Sequence, residues 1–531
     1  KEKLQTLMPI YTNLDDTAKY ISPDLASLLP HWKDLENVDL ATHWELPKGY
    51  SLKWGSNMWV TDASKSTSGK PIVAGDPHLD ARIMPGTMYA CGLITPEMRS
   101  VGIIIPGLYG LIIGRNQYIA NSLTNAYLDM QDLYILPIDP QNPENYMIGS
   151  ESVPFKSEEE TFKIKGVDEP ITKQIRFTKF GVVVNELFPE FPTDKALVLR
   201  WSAAENMKSS LGMNHLLEAK SAKEANDIVQ NASMACHNVM VADMNNNILW
   251  RTIGSIPKRL PNTGQMPAFV VDSTDNWLGF VSPDSMPQQF GSETGWIGNA
   301  NHNTIKSDYP HYVSNQFSPY YRYARLKQLL ESKPKFSAAD HWSFQRDYYN
   351  ALAAKLAPIM TKILLEDTET KQMGEQIANW DFMESKESVA TTIYQRVYRQ
   401  FAWEVFQDEL GDELSMAYLK RWYMWQERLE QMVLSGESEW FDDVSTAGQQ
   451  EDFKAIMLRA AKQVKGELTE KFGQDMAGWT WGKAHQIHFV NPLAREGFAK
   501  DLLGKSFEMA GSGETLYRAK FDYDNPEELI H

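Results

Sequence analysis

Cysteine is almost missing from this chain: Cys91 and Cys236 are the two in 531 residues. They cannot form a thiolate metal cage or a disulfide framework, and they allow one bridge or none. Positive charge is also scarce. The 52 Lys and Arg face 69 Asp and Glu, a formal charge of −17. No basic run offsets it, so a nucleic-acid surface and docking on anionic lipid are both excluded by repulsion. Long apolar runs are absent as well. The most apolar stretch, Val101 to Gly114, is interrupted by Pro106, Gly107 and Gly110 and is too short to span a bilayer. Lys1 to Tyr11 lacks the apolar core of a signal peptide. The expectation is a soluble protein with no membrane insertion and no nucleic-acid partner. There is no repeat, no low-complexity tract and no Gly-x-Ser-x-Gly pentapeptide, so a conventional serine-hydrolase elbow is excluded. Gly504-Lys-Ser506 lacks the upstream glycine of a phosphate loop, because Ala499 stands there. His485 and His488 fall on a strand-like segment, where positions three apart face opposite ways and share no metal.

What is present is 43% apolar and 11% aromatic content, enough for a large globular core. Residues 1–55 show only short helical pieces around Leu14 to Tyr20 and Leu25 to Leu35 and read as a connector wrapping a surface. From Ser56 onward, short apolar runs recur between turn residues, at Met58–Thr61, Pro71–Ala74, Met88–Ile94, Ser100–Ile105, Leu111–Ile113, Tyr118–Thr124 and Leu133–Pro137. That is the pattern of an antiparallel meander. A second β region holds 174–185 and a hairpin, Val239–Asp243 to Ile248–Arg251, turned by Asn245, Asn246 and Asn247. Helical spacing covers Asn206–Ala232 and most of 319–472, with Ser337 as N-cap of a helix over Ala338–Leu365. Strand signals return near Gln486–Val490. The order sheet, helices, sheet, helices, sheet predicts α+β layering. Of the 16 tryptophans, Trp403, Trp422 and Trp425 have the spacing of helix packing rather than of a sugar-binding surface.

The segment Gly55-Ser56-Asn57-Met58-Trp59-Val60 places a glycine and a serine just before the first convincing strand. Cleavage before Ser56 would put a hydroxyl nucleophile and a free α-amine on one residue. With a reference pKa of about 7.7 to 8.0, that amine is partly unprotonated near neutrality and can serve as the base. Gly-Ser before a strand is also an ordinary turn, and the hexapeptide alone leaves both readings open.

The motifs that follow bear on the choice. They run Gly69-Lys-Pro-Ile-Val-Ala-Gly-Asp-Pro-His-Leu79, Pro106-Gly-Leu108, Gly114-Arg-Asn116, Thr124-Asn125, Asp129-Met-Gln-Asp-Leu-Tyr134, Asn299-Ala-Asn-His-Asn303, Asp308-Tyr-Pro310 and Tyr321-Arg-Tyr-Ala-Arg325. In this order they closely resemble the penicillin acylase family of N-terminal nucleophile hydrolases, which includes cephalosporin and acyl-homoserine lactone acylases. The likeness covers Ser56 to Leu330 and continues more weakly through Gln345-Arg-Asp347 and Trp481-Gly-Lys-Ala-His485.

The resemblance implies a four-layer αββα sandwich and self-cleavage before Ser56. Residues 1–55 would be the end of a small subunit with its linker, and 56–531 the large subunit, with a helical insertion at about 319–472. It implies Ser56 as nucleophile, Asn301 as side-chain oxyanion donor and Asn125 as backbone oxyanion donor. Arg322 would be the cation beside the α-amine, and His78 a group that orients the amine or moves a proton. Leu79, Ile113 and Leu123 match the acyl pocket. The first two are phenylalanines in penicillin G enzymes, so aliphatic residues here point to a linear or branched acyl chain. Asp129, Asp132 and the carbonyl of Gln131 match a structural calcium loop, although Val313 stands where an aspartate ligand is expected. No organic cofactor is implied. Partners would be a small-molecule amide, such as a penicillin or cephalosporin side chain or an N-acyl-homoserine lactone, and the upstream small subunit. The compartment implied is periplasmic or secreted. Two other readings compete: a non-catalytic or unprocessed relative that binds small hydrophobic amides, and a tryptophan-rich polysaccharide enzyme, which needs paired carboxylates across a cleft.

Overall fold

The structure is a computed structural model that describes residues 2–16, 19–21, 55–83, 86–108, 110–189, 191–206, 213–233, 236–261, 263–270, 272–274, 276–491, 504–526 and 528–529. The strands that build the centre are, in chain order, β1 (Gly55–Thr61), β2 (Ile72–His78), β3 (Tyr89–Ile94), β4 (Arg99–Ile104), β5 (Ile113–Arg115), β6 (Ile119–Asn125), β7 (His237–Asp243), β8 (Ile248–Ile253), β9 (Gln288–Phe290) and β10 (Trp296–Asn299). They form a seven-stranded sheet in the order β9-β8-β7-β6-β5-β4-β3 and a three-stranded sheet in the order β10-β1-β2, each antiparallel throughout.

Strand alternation explains how the sheets stack. On β1, Met58 and Val60 turn one way and pack with Met240, Ala242, Ile248 and Trp250 of the larger sheet. Trp59 turns the other way, onto α2 (Tyr321–Glu331) and α3 (Ala338–Gln345), where it meets Leu326, Leu330 and Phe344. The outer face of the larger sheet is covered by α1 (Ala222–Val229) through Ala225 and Val229 against Val239, Val241 and Leu249. Helix, sheet, sheet and helix follow in that order, the αββα arrangement of the expected α+β class, with apolar residues of period two sealing both sheet faces.

A separate helical core extends the outer helix layer. α4 (Ala353–Glu366), α5 (Val389–Leu419), α6 (Trp422–Ser435) and α7 (Phe453–Phe472) pack through Leu356, Met360, Val397, Phe401, Leu429, Ile456 and Ala460. Trp422 and Trp425 lie buried inside it and Trp403 packs against it, so these tryptophans are core residues.

The structure corrects several expectations. Residues 131–137 leave the meander and join a six-stranded sheet with 156–162, 171–178, 181–183, 195–201 and 268–269. Among the described residues of 14–20 no helix forms. Ile10–Thr12 pairs with Lys19–Ile21, and the Asn13 side chain turns the chain by accepting the Asp15 N–H. The piece expected at 25–35 lies outside the described residues. Among the described residues of the helix expected over 206–232, only Ala222–Val229 is α-helical, after a short turn at Met213–Leu217. There Asn116 Nδ2 binds the carbonyls of Leu217 and Ala219 and withdraws them from any helix ladder. Ser337 does cap a helix, in a reciprocal box with Asp340. That helix stops at Gln345, because Asp347 pairs with Arg325 and Asn350 bonds Glu384 and caps α4. Cys91 and Cys236 are both free. Among the described residues no helix is long and apolar enough to cross a membrane.

Candidate active site

The register of the small sheet builds the site. β1 and β10 run antiparallel with Asn299 opposite Met58, so the chain leaving β10 passes beside Ser56 and Asn57. It turns there through Asn301, whose φ of 63° lies in the left-handed region that asparagine tolerates better than most residues. Thr124, next to the end of β6, donates its hydroxyl to Asn299 Oδ1 at 2.7 Å, which ties the two sheets together at this point. Arg322 enters from the first turn of α2.

These four elements converge on one residue. The Ser56 N–H donates to Asn301 Oδ1 at 2.6 Å, and Asn301 Nδ2 donates to the Asn125 carbonyl at 2.8 Å. An amide nitrogen carries two N–H groups, so one remains for a further acceptor. Arg322 donates to the Ser56 carbonyl (2.9 Å), Asn57 Oδ1 (2.7 Å), Asn301 Oδ1 (3.0 Å) and Ser318 Oγ (2.9 Å). It is 1% exposed. Burial, and then repulsion from Arg518, lower its pKa to about 10, still cationic at neutral pH. Ser56 Oγ donates to the Gly55 carbonyl at 2.5 Å. The hydroxyl therefore rests against the carbonyl of the bond proposed for cleavage, inside a strand buried along its whole length.

The structure thus brings Ser56, Asn125, Asn301 and Arg322 together. It does not bring His78 to the Ser56 hydroxyl. His78 lies opposite Gly55 at the end of β2, with Nε2 3.0 Å from Asp76 Oδ2 and 3.4 Å from Asn57 Nδ2. Burial lowers its pKa against the pull of Asp76, so the ring is held neutral. Its contact with the site runs through Asn57.

The three apolar positions are placed differently, although Ile113 packs against the core that holds Leu123. Ile113 lies against β2, its Cγ2 3.4 Å from where a Cβ on Gly75 would stand, and Leu79 is half-buried just beyond His78. Leu123 is turned away. Its neighbours Ser122 and Thr124 face the small sheet, and alternation sends Leu123 into the core under α1 with Val239 and Val229.

The residues of the expected calcium loop meet a cation of the protein itself. Asp129 and Asp132 flank the guanidinium of Arg259, whose side chain is 1% exposed. Its Nε is 2.9 Å from Asp132 Oδ2, and its Nη2 reaches the Asp129 carbonyl at 3.0 Å and Asp129 Oδ1 at 3.2 Å. Asp132 also accepts from Trp277 Nε1, and Asp129 Oδ2 from the Tyr312 hydroxyl. Gln131 sits on the same loop, and its N–H is turned to Asp129. Val313 is buried, and its carbonyl accepts the Asp129 N–H. A fixed cation of the protein itself therefore stands where the ion was expected, and the residues do not fit calcium. Among the described residues no group of three or more His, Cys, Asp or Glu is placed to hold a metal.

Several neighbours of Ser56 carried no signal in the sequence reading. Asn57 links Arg322, Asp76, His78 and the Leu516 carbonyl. Arg518 approaches Gly55 from a segment at the far end of the chain, and Tyr127 and Tyr423 meet edge to face close by. Asn57 lay inside the quoted hexapeptide and could have been asked what it bonds. For Arg518 and Tyr423 no local motif exists.

An αββα sandwich with a buried serine leading a central strand is the architecture of the N-terminal nucleophile hydrolases. The chain belongs to the penicillin amidase family, whose sequence profile matches residues 2–531. It is 27% identical over 489 residues to the acyl-homoserine lactone acylase QuiP of Pseudomonas syringae pv. tomato, an alignment that covers 88% of this chain and 59% of that protein. It is 23% identical over 474 residues to the penicillin acylase 2 proenzyme of Pseudomonas sp. strain SE83, covering 87% and 58%. The chain thus spans less than three fifths of either relative's length. A thermostable penicillin G acylase from Alcaligenes faecalis superposes with a TM-score of 0.68 at 19% identity, covering 80% of each chain, and shares the fold.

Proposed function

We propose that this chain is the catalytic part of an acylase that hydrolyses the amide of an apolar acyl group, with Ser56 as a self-generated N-terminal nucleophile. The observation that carries the reading is Asn301, held by Arg322 and the Asn125 carbonyl so that its Oδ1 receives the Ser56 nitrogen. After cleavage of the Gly55–Ser56 bond, that nitrogen is the α-amine. Arg322 would lower its pKa and keep it basic, and the free N–H of Asn301 would meet the oxyanion of a tetrahedral intermediate. Residues 1–55 would be the end of the small subunit and stay docked after the cut. Asn303 Nδ2 bonds the Tyr11 carbonyl at 3.1 Å and the Thr12 N–H bonds Glu427 at 2.9 Å, and both contacts survive cleavage.

Ile113 and Leu79 favour an aliphatic acyl chain, and the resemblance to acyl-homoserine lactone acylases points the same way. Residues 56–531 would then be the large subunit. The test is intact mass and N-terminal sequencing of the purified chain beside a hydrolysis profile over aliphatic and aromatic amides. A new terminus at Ser56 with turnover is expected. Full turnover by a chain still joined at Gly55–Ser56 would overturn the assignment, and a cut chain without amidase activity would favour the non-catalytic reading.

A further inference from the structure

Arg518 is 7% exposed, yet its Nε and Nη1 have no hydrogen-bond partner, and only Nη2 is engaged, with the Tyr423 hydroxyl at 2.5 Å. A buried guanidinium left two-thirds unsatisfied is costly unless something is meant to meet it. No carboxylate among the described residues pairs with it. Glu514, the acid on the same segment, is held by Gln426 at 2.7 Å and Ser512 at 2.9 Å. What Nη1 touches is Gly55: a Cβ built there would lie 2.1 Å from it. A larger residue at this position would push the end of the Arg518 side chain away from the junction.

Segment 511–518 is fixed to the site by the Asn57 side chain, which donates to the Leu516 carbonyl at 2.8 Å. A cleft lined by Trp422, Tyr423, Gly513, Glu514, Arg518 and Lys520 opens beside it. Burial raises Tyr423, but Arg518 and Arg322 outweigh it and hold its hydroxyl below the usual tyrosine range, while the paired Tyr127 is pushed up.

We infer that Arg518 is a carboxylate-binding residue on the acyl side of the reacting bond. The inference rests on the reading of Ser56 as nucleophile. Hydrolysis adds the hydroxyl of water to the Gly55 carbonyl carbon, breaks its bond to the Ser56 nitrogen and leaves the proton on that nitrogen. The acid so formed ionises at neutral pH, and one of its oxygens can accept a charge-assisted hydrogen bond from Nη1, the nitrogen that faces Gly55. Every later turnover forms an acid at the acyl carbon of a new substrate, held at the same serine. One chemistry thus has two sources, the Gly55 tail and the free acid product.

The test uses cut, full-length protein and measures binding by calorimetry. The probes are a peptide of residues 50–55 as free acid and as C-terminal amide, and hexanoate beside hexanamide. A charge-assisted pair predicts that the peptide acid binds about tenfold or more tightly than its amide. That preference disappears in Arg518→Gln and survives in part in Arg518→Lys. Preference for the peptide acid alone assigns the subsite to the protein's own tail, and preference for hexanoate as well assigns it to product. Equal binding of acid and amide by cut, active wild-type protein overturns the inference and leaves Ser56 standing, and that comparison needs no variant to fold. A chain that neither cuts nor turns over removes the Ser56 reading and this one with it.

Discussion

Replacing Arg259 with methionine tests the claim that a guanidinium, and not a metal, holds the loop of Asp129 and Asp132. The variant keeps length and apolar volume but removes the charge between two carboxylates whose side chains are 17% and 5% exposed. Breaking a buried ion pair from one side typically costs about 3 to 5 kcal/mol, because the partner is left buried and unpaired. Two partners are stranded here, so the upper half of that range applies where both are ionised. Burial already raises Asp129 to about 6 despite the opposing pull of Arg259. A carboxylate raised in the folded state favours folding below its unfolded pKa and loses that advantage as pH rises through the folded value. The loss in Arg259→Met is therefore larger at pH 8 than at pH 5. Urea unfolding at both pH values, with and without chelator, is the assay. Wild type is expected to ignore the chelator, and the variant to regain stability on adding calcium, since two carboxylates and nearby carbonyls are then free to bind it. A wild-type midpoint that falls with chelator, or a variant within about 1 kcal/mol of wild type at pH 8, refutes the reasoning.

Ser56→Ala is expected to abolish both the cut at Gly55–Ser56 and amide turnover, read by intact mass and a substrate assay. Residual turnover would remove Ser56 from the chemistry. Asn301→Asp keeps shape and the bond to Arg322 but cannot donate to an oxyanion, so kcat should fall about 10²- to 10³-fold. A near-normal kcat in cut Asn301→Asp protein would show that the donor lies elsewhere. Stability should peak at roughly pH 6 to 6.5. Glu427, Glu384 and Glu409, raised by burial to about 8, 7 and 7, add stability as pH falls toward that point. Below it, His237, His302, His341 and His485, lowered by burial to about 4, 3, 4 and 3, lose stability, because the unfolded chain takes up their protons first. Glu427→Gln should move the maximum upward, and stability that climbs steadily from pH 6.5 to 8.5 would contradict the balance.

The parts of the fold legible in the sequence are those decided by local patterning. Period-two apolar runs located eight of the ten strands of the two central sheets, missing β9 and β10, and Ser337 marked its cap, because alternation and capping depend on residues a few positions apart. What failed did so where a distant side chain intervened. Asn116 dismantles the helix expected at 206–232, and Arg325 and Glu384 end the one expected at 338–365 by drawing on Asp347 and Asn350. The meander lost 131–137 because pairing with 195–201 is a choice of partner that no strand's own pattern encodes.

The site divides along the same line. Ser56, Asn125, Asn301 and Arg322 lie in ordered motifs; the register of β1 with β10 brings Ser56 and Asn301 together, while Asn125 arrives on β6 and Arg322 on α2. Arg259 and Arg518 lie in none, yet each sits where a charge matters most: one fills the place expected for an ion, the other stands at the Gly55 side of the bond proposed for cleavage. A charge satisfied by a partner more than a hundred residues away looks in sequence like any surface arginine. Only its burial separates the two, since a surface guanidinium is solvated whereas a buried one needs an anion. Arg259 has found its anions in Asp129 and Asp132. Arg518 has not, and the Gly55–Ser56 bond it touches is the one whose hydrolysis would create one.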